Sequence, residues 1–403
     1  MAEDQPFLPY GRQVIEDDDI AAVTEALHAD LLTTGPRVEA FEQAFAETVG
    51  ARHAVACSNG TAALHLSMLA LDLRPGDGVV APAITFAATA NCARYQGGEV
   101  IFADVDPDTG LMTPRTLAEA IDRVAGRRLA AVLPVHLAGN VVDLPGVRRL
   151  AEPHGAALVE DACHALGTTM GFDNQPERVG DGRHSALACF SFHPVKTMTT
   201  GEGGMVTTGD PALAERLRLY RTHGISRDPA GFQHRDLAFD ADGAVNPWIY
   251  EMQALGYNYR LPDLLCALGL SQLAKLDRFV ARRRELAAGY RTLLEPLAPL
   301  VRPVTPPRGC DPALHLFVVL IDFAAAGLSR RQVMEGLRAQ GIGSQVHYIP
   351  VHRQPYYQAR YGPIDLPGAD AYYARCLSLP LFPGMADSDP ERVVAALQAV
   401  LGV

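Results

Sequence analysis

The hydrophobic pattern in the first half of the chain alternates between short apolar runs and longer stretches with helical periodicity. The apolar runs predict strands at residues 78–82, 100–105, 129–135, 156–161, 187–192 and 205–208. The periodic stretches predict helices at residues 61–72, 87–95, 113–125, 144–154 and 212–222. Strands that are apolar on both faces and are separated by helices indicate an α/β fold, in which helices cover a mostly parallel sheet.

This pattern changes in the second half of the chain. Residues 232–257 give no clear helix or strand signal, whereas residues 262–295 predict one long helix. Beyond a proline-rich turn, the pattern predicts a strand at 314–322, a helix at 330–340, a strand at 343–349 and a last helix that begins at Asp389. We therefore expect a large domain at residues 1–260, which includes an N-terminal arm. Residues 261–403 would form linking helices and a small C-terminal α/β domain.

Composition and charge narrow the class of protein. The formal net charge of −11 argues against non-specific binding to nucleic acid or to an anionic membrane surface. The seven cysteines are scattered and form no CxxC pair, so we expect reduced thiols, no metal site and a cytoplasmic location. The acidic N-terminus lacks the apolar segment of a signal peptide, and no apolar run approaches the about 20 residues of a membrane span.

The segment SFHPVKTMTTGEGG, residues 191–204, contains one of only two lysines in a chain that otherwise uses arginine. This lysine, Lys196, follows an apolar strand and precedes a glycine-rich turn. Lysine can lose its proton and attack a carbonyl group, which arginine cannot do. The residue alone leaves two interpretations about equally open, a nucleophilic amine and an ordinary surface lysine.

A carboxylate and an aromatic side chain add to this picture. Asp161 ends an apolar strand in VEDACHALG, where a buried carboxylate needs a cation such as a protonated pyridine nitrogen. The alternative is an Asp that caps the following helix. Phe86, in PAITFAATAN, is placed to lie against a cofactor ring, although an isolated Phe more often belongs to the core.

Small residues lead directly into a helix in SNGTAALHLSMLALDL, residues 58–73. The backbone N–H groups of Gly60, Thr61 and Ala62 would point at an anion, and the helix dipole would favour a phosphate there. The alternative is an ordinary N-cap formed by Ser or Asn. The order of these features along the chain is phosphate cradle, aromatic ring, carboxylate and then lysine. That order is typical of a pyridoxal phosphate (PLP) enzyme of fold type I.

The sequence resembles the DegT-type family of sugar-nucleotide aminotransferases over nearly its whole length. The resemblance rests on PYGRQVIEDDDI, LLTTGPRVEAFE, SNGTAALHL, EDACHALG, SFHPVKTMTTGEGG, LGYNYRLPD and VHYIPVHRQPYY. It implies the PLP-dependent fold type I, with a large domain and a small C-terminal α/β domain. Segment 171–183 looks longer than is usual in the family.

The resemblance also implies site residues. Lys196 binds PLP covalently and Asp161 pairs with the ring nitrogen, so both are catalytic. Phe86 stacks on the ring, and His164, where much of the family has Gln, bonds its 3-hydroxyl. The implied phosphate contacts are Gly60, Thr61, Ala62, Ser191 and, across a homodimer interface, Asn258 of the partner subunit. The implied substrate contacts are Thr34, Arg260, His347 and Tyr348.

By the same resemblance, an amino group passes from glutamate to a nucleotide-linked 4-keto-6-deoxy sugar. HPVKTMTTGEGG, PWIYEMQALGYNYRLPD and ALGLSQLAKLDRF carry a closer resemblance to the members of the family in pseudaminic acid biosynthesis. Aminotransferases for other nucleotide-linked keto sugars share the cofactor motifs and stay as an alternative. Related sugar dehydratases carry His in place of the lysine, and Lys196 argues against them. A non-catalytic binding protein on the same scaffold is the alternative from another class, and the intact Asp161, Ser191 and Lys196 argue against it.

Overall fold

The computed structural model describes residues 6–171 and 176–403. We number its strands and helices in chain order. The strands are β1 His53–Cys57, β2 Gly78–Pro82, β3 Glu99–Ala103, β4 Leu129–Val132, β5 Ala157–Asp161, β6 Thr169–Met170, β7 Glu177–Arg178, β8 Leu187–Ser191, β9 Gly204–Thr208, β10 Ile225–Ser226, β11 Glu251–Met252, β12 Val301–Pro303, β13 Cys310–Asp311, β14 Phe317–Ile321 and β15 Cys376–Leu379.

Helices precede the first strand, connect many of the strands and follow the last one. They are α1 Asp17–Leu27, α2 Pro36–Val49, α3 Gly60–Ala70, α4 Ala87–Tyr95, α5 Pro114–Ile121, α6 Leu144–Ala151, α7 Pro211–Arg221, α8 Arg235–Ala238, α9 Asp263–Leu273, α10 Leu276–Leu294, α11 Arg330–Ala339, α12 Pro355–Tyr361, α13 Pro367–Arg375 and α14 Asp389–Leu401.

Seven strands form the central sheet in the order β1-β9-β8-β5-β4-β2-β3. Strands β3, β2, β4, β5 and β8 pair in parallel, while β9 is antiparallel to both of its neighbours. Buried side chains from both faces pack against the surrounding helices in two apolar clusters. The predicted mostly parallel sheet covered by helices is therefore confirmed, and apolar burial on both faces explains why its strands read as continuous hydrophobic runs.

Strands β1, β5 and β8 all end at the carboxyl edge of this sheet. β5 ends at Asp161 and pairs in parallel with β8, which ends at Ser191. β1 also ends at this edge, because β1 and β8 are both antiparallel to β9, and α3 begins shortly after it at Gly60. In open α/β sheets, ligands bind outside the carboxyl ends of the strands.

The C-terminal part has its own antiparallel sheet, β12-β14-β15, and its own apolar cluster with α10, α11 and α14. This agrees with the predicted small α/β unit. Leu8 of the N-terminal arm belongs to the same cluster, and its backbone exchanges hydrogen bonds with Gly341 and Gly343. A domain division at residue 260 stays a prediction.

Two predicted elements are wrong. The single helix at 262–295 is interrupted by a turn at Ala274 and Lys275, where the N–H of Lys275 donates to the carbonyl of Gln272 at 3.0 Å. The Lys275 ammonium binds Asp18 and Asp19 of α1. The predicted strand at 343–349 is an irregular segment with an isolated bridge between Gln345 and Ser378. Its early residues bond the N-terminal arm and its later ones turn into the cavity described below, so no continuous ladder forms.

Residues 232–257 contain only short elements, α8 and β11, which explains their weak signal. Of segment 171–183, residues 172–175 lie outside the described residues, and the comparison of its length with the family stays a prediction. All seven cysteines are free thiols. In the described ranges 6–171 and 176–403, no helix is long and apolar enough to cross a membrane.

Candidate active site

A cavity of about 450 Å³ opens at the carboxyl edge of the central sheet. Nine residues that the sequence predicted as site residues line it: Gly60, Thr61, Phe86, Asp161, His164, Ser191, Lys196, His347 and Tyr348. They come from five separate stretches of the chain, and only the fold brings them together. Ala62, Asn258, Thr34 and Arg260 are not among its lining residues.

Lys196 reaches the cavity from the turn after β8, where its backbone N–H donates to the carbonyl of His193 at 2.9 Å. Its amine has no hydrogen bond or ion pair with the described residues. Desolvation lowers the pKa of Lys196, although the nearby Cys163 and Asp161 act in the opposite direction. A lowered pKa increases the fraction of uncharged amine, which is the form that attacks a carbonyl.

Asp161 is a buried carboxylate with two neutral donors. Its Oδ2 accepts a 2.6 Å hydrogen bond from the hydroxyl of Thr89, and its Oδ1 accepts from the backbone N–H of Cys163 at 3.2 Å. The side chain is part of a residue only 6% exposed and has no ion pair among the described residues. A buried carboxylate without a cation from the protein suits a ligand that supplies a positive charge.

The start of α3 forms a cradle beside β8. Asn59 caps the helix, and its Oδ1 accepts from the N–H of Ala62 at 2.8 Å. The N–H groups of Gly60 and Thr61 have no hydrogen-bond acceptor among the described residues. A helix N-terminus with free N–H groups favours an anion. Ala62 differs from the other two, because its N–H is already used in the cap.

His164 lies deep in the cavity, and both of its ring nitrogens have partners. Nδ1 accepts from the backbone N–H of Ala138 at 3.3 Å, so Nε2 carries the proton and donates it to the Tyr348 hydroxyl at 3.1 Å. Burial and the nearby Lys196 and His347 hold the pKa of His164 well below its usual value. The imidazole is therefore neutral at ordinary pH, and the fold has fixed which nitrogen carries its proton.

Phe86 caps α4 at the mouth of the cavity and is 59% exposed, with its ring centroid 6.1 Å from that of Tyr348. Its exposed ring faces the cavity opening beside Tyr348. An aromatic ring bound in the cavity would cover it. The stacking of Phe86 on a cofactor ring stays a prediction.

Eleven further residues line the cavity that the sequence did not predict as site residues, among them Tyr10, Cys163 and His315. The His315 ring is 4.4 Å from that of His164, and its Nδ1 is buried without a hydrogen bond. Burial lowers the pKa of His315 well below its ordinary value and lowers that of His347 to about 3. Tyr10 lies in PYGRQVIEDDDI, one of the motifs that carry the resemblance, whereas His315 lies just before β14 and belongs to none of them. Cys163 also lies in one of these motifs, EDACHALG.

Asn258 lies outside this cavity because of the direction of its side chain. The rings of Tyr257 and Tyr259 stack at 5.0 Å on one side of the extended segment, so the intervening Asn258 faces the other way and is exposed. Thr34 is also exposed, in a left-handed backbone conformation with φ of 57°, and Arg260 is partly buried. One chain alone does not bring these three residues to Lys196.

Across residues 6–171 and 176–403, no group of three or more His, Cys, Asp or Glu side chains is placed to hold a metal ion.

The family model of the DegT/DnrJ/EryC1/StrS aminotransferases matches residues 13–398. The chain therefore belongs to the DegT/DnrJ/EryC1/StrS aminotransferase family, as its sequence motifs predict. The members of this family are PLP-dependent sugar aminotransferases, and the fold and the lysine–carboxylate cavity agree with that class.

Solved structures of several sugar aminotransferases are similar over the whole chain. Helicobacter pylori PseC, an aminotransferase involved in the biosynthesis of pseudoaminic acid, is 27% identical with a TM-score of 0.86, covering 98% of this chain and 99% of its own. TlmJ from Streptoalloteichus hindustanus is 31% identical with a TM-score of 0.86 and the same coverages, 98% and 99%. DesI, solved in the presence of its TDP-sugar product, is 33% identical with a TM-score of 0.83, covering 99% and 94%.

Proposed function

We propose that this protein uses PLP to move an amino group from L-glutamate to C4 of a nucleotide-linked 4-keto-6-deoxy sugar. One observation carries the proposal: an unpaired, desolvated lysine amine shares a closed-in cavity with a buried carboxylate that lacks a cation. Burying an ionisable amine or a carboxylate without a partner costs folding free energy, so such groups are more often found at functional sites. The amine suits the aldehyde of PLP, and the carboxylate suits its protonated ring nitrogen.

The residues present fit the cofactor at each of its polar groups. The free N–H groups of Gly60 and Thr61, with the Ser191 hydroxyl, suit the phosphate, while Asp161 suits a protonated ring nitrogen. Phe86 offers a ring face, and His164 with Tyr348 offers a hydrogen-bonded pair for the ring hydroxyl. Bound PLP supplies an aldehyde that condenses with amines and a ring that accepts electrons from the neighbouring carbon.

Lys196 performs the proton transfers in this proposal. Its uncharged Nζ would take a proton from the donor carbon that bears the amino group, and the protonated amine would then give a proton to the carbon on the other side of that nitrogen. The long side chain allows one amine to serve both positions, and positioned acid–base groups of this kind contribute about 10²–10⁴-fold to rate. Thr89 and the N–H of Cys163 orient Asp161. Tyr348 and Ala138 keep His164 in one tautomer.

We further propose a homodimer in which Asn258 of the partner subunit completes each phosphate site. Asn258 faces away from its own chain, as a residue that serves another chain would. Large apolar side chains are exposed in the preceding stretch: Leu237, Trp248, Tyr250, Met252 and Leu255 are each at least 52% exposed. Exposed apolar side chains in this number are typical of a protein interface. Arg260 and Thr34 are proposed to reach the substrate across the same interface, since the residues lining one chain's cavity include no arginine.

The substrate we propose is UDP-2-acetamido-2,6-dideoxy-β-L-arabino-hex-4-ulose, the keto sugar aminated on the route to pseudaminic acid. The motif resemblance and the full-length similarity to PseC support it. The second candidate is another nucleotide-linked keto sugar, thymidine-linked or guanosine-linked. The slightly higher identity to DesI, at 33%, favours a thymidine-linked substrate for that candidate.

Turnover with matched substrates tests this choice. Purified enzyme would be supplied with glutamate and each keto sugar separately, and the amino sugar formed would be identified by NMR. The proposal predicts that kcat/KM for the UDP-linked acetamido sugar is at least tenfold higher than for a thymidine-linked sugar. An equal or reversed preference would contradict the proposed substrate but not the proposed aminotransferase activity. No transfer with any keto sugar, and no visible absorbance from bound PLP, would favour a non-catalytic protein.

A further inference from the structure

A buried histidine on the cradle helix has polar partners that the proposed chemistry does not use. His65 lies in the second turn of α3, five residues after Gly60, and is 3% exposed. Its Nε2 is 2.6 Å from the side-chain amide nitrogen of Gln96, and its Nδ1 is 3.2 Å from the Tyr259 hydroxyl. The amide nitrogen can only donate, so Nε2 accepts and the Nδ1–H donates to Tyr259.

The segment held by His65 is the one that presents Asn258. The His65 ring packs edge-on against Tyr257 at 4.9 Å and against Tyr259 at 5.9 Å. The backbone carbonyl of Tyr259 also accepts from the N–H of Ser58, at 2.8 Å, just before the cradle begins. These contacts hold Tyr257 and Tyr259 against α3 and turn Asn258 outward, since neighbouring side chains of an extended segment alternate.

An apolar side chain could fill the same space without these bonds. A buried imidazole needs both nitrogens satisfied, and here one partner comes from the end of α4 and the other from the Asn258 segment. Gln96 fixes the tautomer, and the tautomer decides that His65 donates to Tyr259 rather than accepts from it. The arrangement is directional, which simple core packing does not require.

We propose that His65 is a positioning residue that aims Asn258 at the partner subunit's phosphate site. One end of α3 would then bind the phosphate of its own site while its second turn sets a contact for the other site. This inference rests on the proposed PLP function and on the shared homodimer site. It predicts that a change at His65 weakens cofactor retention in the partner more than in its own chain.

Mixed dimers of two differently tagged chains separate these effects. The first chain carries Lys196→Ala, so borohydride can trap PLP only on Lys196 of the second chain. Variants are then placed in the first chain, and the trapped peptide of the second is quantified by mass spectrometry over a PLP titration. His65→Phe in the first chain should raise the half-trapping concentration about five- to tenfold, the loss expected for one hydrogen bond and its ring contacts. Tyr259→Phe should raise the half-trapping concentration by a similar factor. The double variant should raise it little more than either single variant, because both changes remove the same hydrogen bond.

Two controls separate failure of the inference from failure of the proposed function. Asn258→Ala in the first chain should shift trapping at least as much as His65→Phe; no shift would overturn the shared site and the inference with it. A shift with Asn258→Ala but none with His65→Phe or Tyr259→Phe would overturn the role of His65 alone. His65→Phe in the second chain should have the smaller effect, and a larger one would show that His65 serves its own site. Tyr259→Phe, which keeps the ring, carries the test if His65→Phe fails to fold.

Discussion

Gly60 and Ser191 approach so closely that a Cβ at position 60 would lie 2.9 Å from the Cβ of Ser191 and 3.2 Å from its hydroxyl oxygen. The first residue of α3 thus packs directly against the end of β8. The two elements that would hold a phosphate are in contact through a residue without a side chain. Any side chain here must move Ser191 or the helix start.

Gly60→Ala should therefore weaken PLP binding by about tenfold or more, because the free N–H groups at the start of α3 would be displaced relative to Ser191. Gly209→Ala is the matched control, since a Cβ at that position meets no atom within 4 Å. Fluorescence titration of cofactor-free protein with PLP measures both. Unchanged affinity in Gly60→Ala, or an equal loss in Gly209→Ala, would show that the close packing does not shape the phosphate site.

The two lysines of the chain should respond to substitution in opposite ways. Lys275 is 2.7 Å from Asp18 and 2.7 Å from the fully buried Asp19, whereas the amine of Lys196 has no such partner. Lys275→Met should lower the free energy of unfolding by about 3 kcal/mol, because it leaves Asp19 buried without a cation. Lys196→Met should abolish turnover and leave that free energy nearly unchanged or raised.

Urea unfolding of the cofactor-free variants, with turnover measured below the unfolding temperature, checks this contrast. Lys275→Met should keep most of its turnover once folded. If Lys196→Met were the strongly destabilised variant, or if Lys275→Met alone lost turnover, the assignment of one structural and one chemical lysine would be reversed.

Acid should destabilise the cofactor-free protein through its buried histidines. Burial lowers the pKa of His65 to about 4 and of His347 to about 3, and it holds the pKa values of His164 and His315 well below 6.5. In the unfolded chain each would titrate near about 6.5. The stability from these depressed pKa values is therefore complete above pH 6.5 and is lost as pH falls towards the folded values.

Below pH 6.5 each such histidine should contribute up to about 1.4 kcal/mol of lost stability per pH unit. Urea midpoints at pH 7.5, 6.5 and 5.5 measure the slope. His347→Gln should make the slope shallower by about one histidine. A flat profile, or one that His347→Gln leaves unchanged, would mean that these imidazoles are protonated in the folded protein.

The sequence predicted the central strands well because burial on both faces gives an apolar run that needs no tertiary context. The break at Lys275 was not visible, since helical periodicity continues through it and the residue's ion pairs are with distant α1. The false strand at 343–349 was equally hidden, because Gly343 bonds Leu8 of the N-terminal arm while Gln345 bonds Ser378, so the segment has no single partner strand. For the site, the order of the motifs along the chain indicated Asp161 and Lys196. Tyr10 and His315 line the same cavity only because the fold brings distant segments together.

Covalent attachment of PLP to Lys196 is the claim on which the proposed function depends. Borohydride reduction of the cofactor-loaded protein should convert that attachment into a stable secondary amine, which a peptide map can locate. We expect the adduct on the peptide that contains HPVK, and none in Lys196→Ala. An adduct on the peptide of Lys275, or no adduct in protein that demonstrably contains PLP, would contradict the account.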